Sequence, residues 1–169
     1  MVKPDFEDLV ARYDKRLMNV MYGFTGDYDD ALDLTEEAFL SAMRAYPGFR
    51  GDSDPFTWLY RIAVNVFKRK YRRDARRAEL WRERTEQEPP PTAEWRTPAH
   101  HAVENERAAA VREAVARLPE PFREAIVLRY MSDASYEEIA AATRCSLGTV
   151  KSRIARGKAM LGELLEGKV

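Results

Sequence analysis

The sequence predicts an all-α protein: two small helical domains, a three-helix bundle and a four-helix unit, joined by a flexible linker. Three observations carry that expectation. Apolar residues recur at helical spacing in each patterned segment, strand-like alternation is missing, and the cluster Glu88-Pro89-Pro90-Pro91 divides the pattern in two. With 169 residues the chain has room for one medium domain or two small ones. Its 45% hydrophobic content is enough for packed cores, and its 33% charged content exceeds the usual quarter or so.

The first helix runs from Asp5 to Phe24, with Leu9, Tyr13, Leu17, Val20, Met21 and Phe24 on one stripe, and Gly26 ends it. A second begins near Asp27 to Asp30 and buries Ala31, Leu34, Ala38, Phe39, Ala42, Met43 and Tyr46 before Pro47-Gly48 closes it. A third opens at Asp54, placed to cap the free amides of the first turn, with Pro55 at the first helical position. Its face is Phe56, Leu59, Ile62, Ala63, Val66 and Phe67, and it persists to about Arg77. These three helices form a first domain over 1–77. Residues 78–103, with their prolines and the pair His100-His101, read as a tether.

The second domain, 104–169, is again helical. Glu104 to Leu118 carries Val111, Val115 and Leu118, and Pro121 to Met131 carries Phe122, Ala125, Ile126 and Leu128. Ser135-Tyr136-Glu137-Glu138 has the capping-box form and opens a short helix to Thr143. Ser146 can cap a last helix reaching about Leu165.

Several classes are excluded. One cysteine, Cys145, permits no internal disulfide, and no Cys/His set has zinc-ligand spacing. No cofactor is expected. His100 and His101 lack the convergent partners that catalysis needs, so an enzyme is not expected. The N-terminus has no signal-peptide core and no apolar run approaches membrane-spanning length; the expected address is the cytoplasm, without membrane insertion.

Net charge is zero, from 28 Lys plus Arg and 28 Asp plus Glu, but the charges are segregated. Leu17 through Met43 holds Asp27, Asp29, Asp30, Asp33, Glu36 and Glu37 and no base. Arg61 through Arg77 holds Arg61, Lys68, Arg69, Lys70, Arg72, Arg73, Arg76 and Arg77 against Asp74 alone. Ile139 through Gly162 holds Arg144, Lys151, Arg153, Arg156 and Lys158 and no acid. Neutrality thus hides one acidic surface and two basic ones, and basic surfaces attract phosphates and release their counterions. A single run of charge often only solvates a helix face. Two runs, each on a helix its fold would offer to DNA, point further.

Tyr136 to Thr143 and the helix from Leu147, about three residues apart, have helix-turn-helix spacing. Ile139, Ala140, Val150 and Ile154 are spaced to pack the pair. Thr149, Lys151, Ser152, Arg153 and Arg156 are left for the outer surface, where Arg and Lys can donate to guanine edges or phosphates. An ordinary antiparallel helix pair would bury the same Val and Ile.

Ser135-Tyr136-Glu137-Glu138-Ile139-Ala140 followed by Leu147-Gly148-Thr149-Val150-Lys151-Ser152-Arg153 closely resembles region four of extracytoplasmic-function sigma factors of the sigma-70 family. Asp33-Leu34-Thr35-Glu36-Glu37-Ala38-Phe39-Leu40 resembles the polymerase-binding helix of region two. Phe49-Arg50-Gly51-Asp52, then Thr57-Trp58-Leu59-Tyr60-Arg61-Ile62-Ala63 and Asn65, resembles its promoter-opening segment. The resemblance implies a promoter-recognition subunit. Its partners would be core RNA polymerase (the β′ clamp and β flap), promoter DNA and an anti-sigma factor.

It further implies that Lys151, Ser152, Arg153 and Arg156 read the minus-thirty-five element as duplex, and that Asp33, Glu36 and Glu37 meet polymerase. Phe49, Arg50, Ile62 and Asn65 would hold the opened minus-ten element, with Lys68, Arg69 and Arg72 along its phosphates. Capture of a base from a melting duplex needs an apolar wall, a polar group and nearby cations, which Phe49, Asn65 and the Arg61–Arg77 run supply. Trp58 also reads as plain core packing.

Two positions depart from the family pattern. Glu36 stands where Gln is common, and Arg144 occupies a turn position where Gly is frequent. The competing class is a two-domain transcription regulator that binds duplex DNA without polymerase.

Overall fold

A computed structural model of the chain describes residues 4–85 and 106–166, with side-chain surroundings over 4–80 and 108–166. Helix α1 spans Phe6–Thr25, α2 Tyr28–Ala45 and α3 Pro55–Thr85; α4 spans Glu106–Arg117, α5 Glu120–Met131, α6 Tyr136–Thr143 and α7 Leu147–Leu165. Among the described residues every regular element is helical, three helices before the proline cluster and four after it.

Local chemistry fixes the boundaries. Gly26 takes the left-handed conformation at φ 68° and returns its N–H to Tyr22 O at 2.8 Å, which ends α1. Asp27 Oδ1 accepts the Asp30 N–H at 2.9 Å and starts α2. A short 3-10 turn over Tyr46–Gly48 closes it. Asp54 Oδ1 accepts the Thr57 N–H at 3.0 Å ahead of Pro55, as expected for the start of α3. That helix continues past Arg77 to Thr85, because Ala78-Glu79-Leu80 are good helix formers and no proline follows until Pro89. Of the segment read as a tether, 78–85 is therefore helix; 86–103, with His100 and His101, lies outside the described residues. Ser135 and Glu138 form the reciprocal capping box, at 3.1 and 2.7 Å, and Ser146 Oγ accepts the Thr149 N–H at 3.1 Å.

Two stripe assignments are corrected. Met43, expected on the buried face of α2, is 52% exposed, and Val111 of α4 is 41% exposed. Both sit at the margin of their helix's apolar arc, where periodicity does not separate inside from rim.

The two halves share a core. Leu17, Val20, Met21 and Phe24 of α1 belong to one buried cluster with Phe56 and Tyr60 of α3, and with Ile126, Val127 and Leu128 of α5. Gly23 sits at the contact between α1 and α5: a Cβ there would lie 2.5 Å from Met131 Sδ and 2.7 Å from Val127 Cγ1. A glycine within a helix costs up to about 1 kcal/mol against alanine, and here, in the last turn of α1, it permits the close approach.

Polar contacts rim that apolar contact. Arg16 donates from Nε to Ser132 O at 2.8 Å and from Nη2 to both Glu138 carboxylate oxygens at 3.2 and 3.1 Å, with its guanidinium 3.7 Å over the Phe56 ring. Tyr60 Oη donates to Glu124 at 2.5 Å, and Arg61 Nη2 donates to Ala141 O at 2.6 Å. The first domain thus folds back on the second.

Candidate nucleic-acid interface

The structure presents three separate surfaces. The first is the outer face of α2. Glu36 and Glu37 lie three and four residues after Asp33, and Leu40 four and three after them, so all four share one face, and all are exposed. Exposed Leu32 (40%), Leu40 (51%) and Met43 (52%) interleave with these acids. An acidic face with large apolar side chains in it is suited to a protein partner more than to solvation alone. Leu32 and Leu40 lie off the stripe read as buried, and Met43 was placed on it because a helical stripe does not separate a core side chain from one at its rim.

The second surface is a groove of ≈ 630 Å³ between α2 and α3, lined by Ser41, Arg44, Ile62, Asn65, Lys68, Arg69 and Arg72. Ile62, Asn65, Arg69 and Arg72 fall at steps of three, four and three residues, so a single face of α3 supplies an apolar wall, a carboxamide and cations. Five of the seven residues singled out for the minus-ten element are thereby brought together. Ser41 and Arg44, from the opposing end of α2, were not singled out. Their signal was the abrupt end of the acidic stretch, since Arg44 is the first base after it.

Phe49 and Arg50 are not in the groove lining. Phe49 is only 6% exposed and stacks on Trp58, with ring centroids 4.6 Å apart. Trp58 is half-buried and packs with Tyr46 as well, consistent with a packing role. Arg50 is exposed just before Gly51, which holds φ 78°.

One groove cation is already paired. Lys68 Nζ lies 2.7 Å from Glu120 Oε1, at the first turn of α5. The hydrogen bond from Lys68 holds the Glu120 carboxyl below its ordinary range, and the charges of Lys68, Arg123 and Arg72 add to that effect against partial burial. The two side chains are 43% and 58% exposed, so the pair contributes at most about 1 kcal/mol. Nearby, burial first and Glu124 second push the Tyr60 hydroxyl well above its usual range, so Tyr60 acts as a donor.

The third surface is the start of α7. Val150 and Ile154 are buried against the rest of the domain, and Lys151, Ser152 and Arg156 are exposed, while Arg153 and Thr149 are half-buried. The Thr149 hydroxyl lies 2.9 Å from Ser146 Oγ, inside the cap. Between α6 and α7, Arg144 takes φ 55° and ψ 43°, the left-handed conformation that glycine adopts without strain. The turn keeps that shape with Arg in it, and the Cys145 N–H reaches Ala140 O at 3.1 Å. Cys145 is half-buried and packs against the core.

No helix among the described residues is long and apolar enough to cross a membrane. They hold no group of three or more His, Cys, Asp or Glu placed for a metal ion.

The comparisons with known proteins follow the same division. Residues 9–77 match the family model described as Sigma-70 region 2, and residues 108–161 match Sigma-70, region 4. The RNA polymerase sigma-H factor of Pseudomonas aeruginosa is 34% identical over 169 residues, covering 97% of this chain and 88% of that protein. The ECF RNA polymerase sigma-E factor of Escherichia coli is 36% identical over 169 residues, covering 97% and 86%. Among solved structures, the sigma factor RpoE in complex with the anti-sigma factor NepR from Bartonella quintana matches with a TM-score of 0.74 at 27% identity, over 99% of this chain and 100% of that one. CnrH in complex with the cytosolic domain of CnrY matches with a TM-score of 0.69 at 28% identity, over 97% and 89%.

Proposed function

Because the chain belongs to the sigma-70 family, as an extracytoplasmic-function sigma factor that binds core RNA polymerase and directs promoter-specific initiation, we propose a division of that work among its three surfaces. The acidic and apolar face of α2, with Asp33, Glu36 and Glu37, docks on the β′ clamp, and the second domain reaches the β flap. The groove of Ile62, Asn65, Lys68, Arg69 and Arg72 holds the opened minus-ten strand, and Phe49-Arg50 joins it only when the loop before α3 rearranges. Lys151, Ser152, Arg153 and Arg156 read the minus-thirty-five duplex, with Thr149 at the helix start.

One observation supports this reading above the others. The groove gathers an apolar wall, a carboxamide and a bank of cations, which is what an unstacked base and its phosphates require. Two domains, 1–77 and 104–169, joined by residues 78–103 of which 78–85 prolong α3, complete the proposal, and the site of action is the cytoplasm, where RNA polymerase works. An anti-sigma factor is the expected inhibitor; the likeness to RpoE, whose structure holds NepR, supports that.

Run-off transcription with purified core polymerase on fragments of a bacterial genome tests the assignment. Discrete start sites that vanish with Asn65→Ala while core binding persists support the groove's role. Unaltered start-site choice by that variant removes it.

A further inference from the structure

The first two turns of α5 carry Glu120 and Glu124, four residues apart and so on one face of the helix. Both carboxylates reach α3. Glu124 takes the Tyr60 hydroxyl, and two turns on, Glu120 takes Lys68, a cation of the groove. Tyr60 and Lys68 are eight residues apart, so the two carboxylates follow the α3 axis as a short row of anions.

We propose that this face of α5 is an internal competitor of the nucleic-acid backbone: closed, it occupies Lys68, and an opened promoter strand must displace it to use the whole groove. The proposal rests on the groove being the strand-binding site. A lysine neutralised by a carboxylate holds no counterion to release, so it adds little to phosphate binding until the carboxylate leaves. The contact is half-exposed and therefore weak enough for a polyanion to displace. Coupling between two binding events is reciprocal. Strand binding in the groove therefore weakens the hold of α5 on α3 by the same factor that closure weakens strand binding, while the α1–α5 core still holds the second domain.

The test uses the full chain, a fluorescein-labelled oligothymidine followed by anisotropy across a salt series, and small-angle X-ray scattering to read closure. Glu120→Gln removes the competing charge at an exposed position. It should tighten oligothymidine binding about two- to five-fold and steepen the salt slope by about 0.7 for the one freed cation. Gly23→Leu acts elsewhere, because even a Cβ at that position meets Met131 and Val127. It should expand the molecule and tighten binding at least as much, and Glu120→Gln should then add nothing, as expected for groups acting through one contact.

Expansion by Gly23→Leu without a change in affinity overturns the proposal. So does a full effect of Glu120→Gln in the expanded background, since the charge would then act without the contact. If Gly23→Leu misfolds or stays compact, Tyr60→Phe with Glu124→Gln is the opening variant and the same comparison decides. Absence of oligothymidine binding in every variant removes the groove reading itself, and the competition falls with it.

Discussion

Arg144 shows how a single backbone angle carries a measurable strain. Its φ of 55° places a Cβ where L-residues are disfavoured by about 1–2 kcal/mol. Arg144→Gly relieves that but adds the larger unfolded-state freedom of glycine, leaving a net gain of about 0.5–1 kcal/mol. Urea denaturation should show a higher midpoint at unchanged slope; an unchanged midpoint would mean that the Arg side chain repays its strain. On α7, Arg156→Ala should cost about 1–3 kcal/mol of duplex affinity if Arg156 reads a base edge, relaxing preference at one position. Equal weakening on all sequences with a shallower salt slope assigns it to phosphate instead, and no loss at all removes it from the interface. Glu120 supplies a pH dependence. Its carboxyl is held low by Lys68, with Arg123 and Arg72 contributing, so its contribution to closure is complete above the ordinary carboxylate range and is lost as pH falls through the depressed value. Scattering should record expansion on acidification that Glu120→Gln shifts or flattens, and identical profiles for the two proteins would discard it. Residue-scale features of this kind were unevenly legible. The caps at Asp54, Ser135 and Ser146 could be read because a cap is local chemistry, whereas Phe49 turned out buried on Trp58 because stacking partners depend on the fold.

At the scale of elements, α2 is the clearest case of two faces with different tasks. Its inner face, Ala31, Leu34, Ala38 and Ala42, is almost wholly buried, and three of the four are alanines that let α1 and α3 approach. Its outer face is acidic with Leu32, Leu40 and Met43 exposed. Asp33→Lys with Glu37→Lys should abolish capture of core polymerase in a pull-down while circular dichroism stays unchanged, because like charges would then face each other across the contact. Native capture by the folded double variant would move the polymerase surface elsewhere. The acids were visible in sequence as a run without bases. Of the apolar residues, Leu40 stood in the motif quoted for the polymerase-binding helix, whereas Met43 was assigned to the core because its spacing also suits one.

At the scale of the whole molecule, the sequence predicts two domains on a tether, and among the described residues the helices, their order and their caps bear out the all-α expectation of three helices and then four. Their joint core was not legible. The stripe Leu17, Val20, Met21, Phe24 requires a buried face on α1 but does not say that part of it meets α5. Gly23 was the missed signal, a glycine inside the last turn of α1, three residues ahead of the Gly26 that already ends it. The tether prediction belongs here too. Inserting Gly-Ser near Pro90 should alter transcription little, because added slack costs only about 0.6 kcal/mol per doubling of length. Deleting 86–103 should abolish initiation at promoters with two separated elements while each domain stays folded. Normal initiation by the deletion variant would show that the two contacts need no span.

The shared core also bears on how the protein melts. Domains that meet only through a tether unfold independently and give two calorimetric transitions. Here Leu17, Val20, Met21 and Phe24 lie in one buried cluster with residues of α5, so loss of either bundle exposes apolar surface on the other. The chain should therefore melt in a single cooperative step, with calorimetric and van't Hoff enthalpies in agreement. Gly23→Leu, by parting α1 from α5, should split that endotherm in two without lowering the summed heat by much.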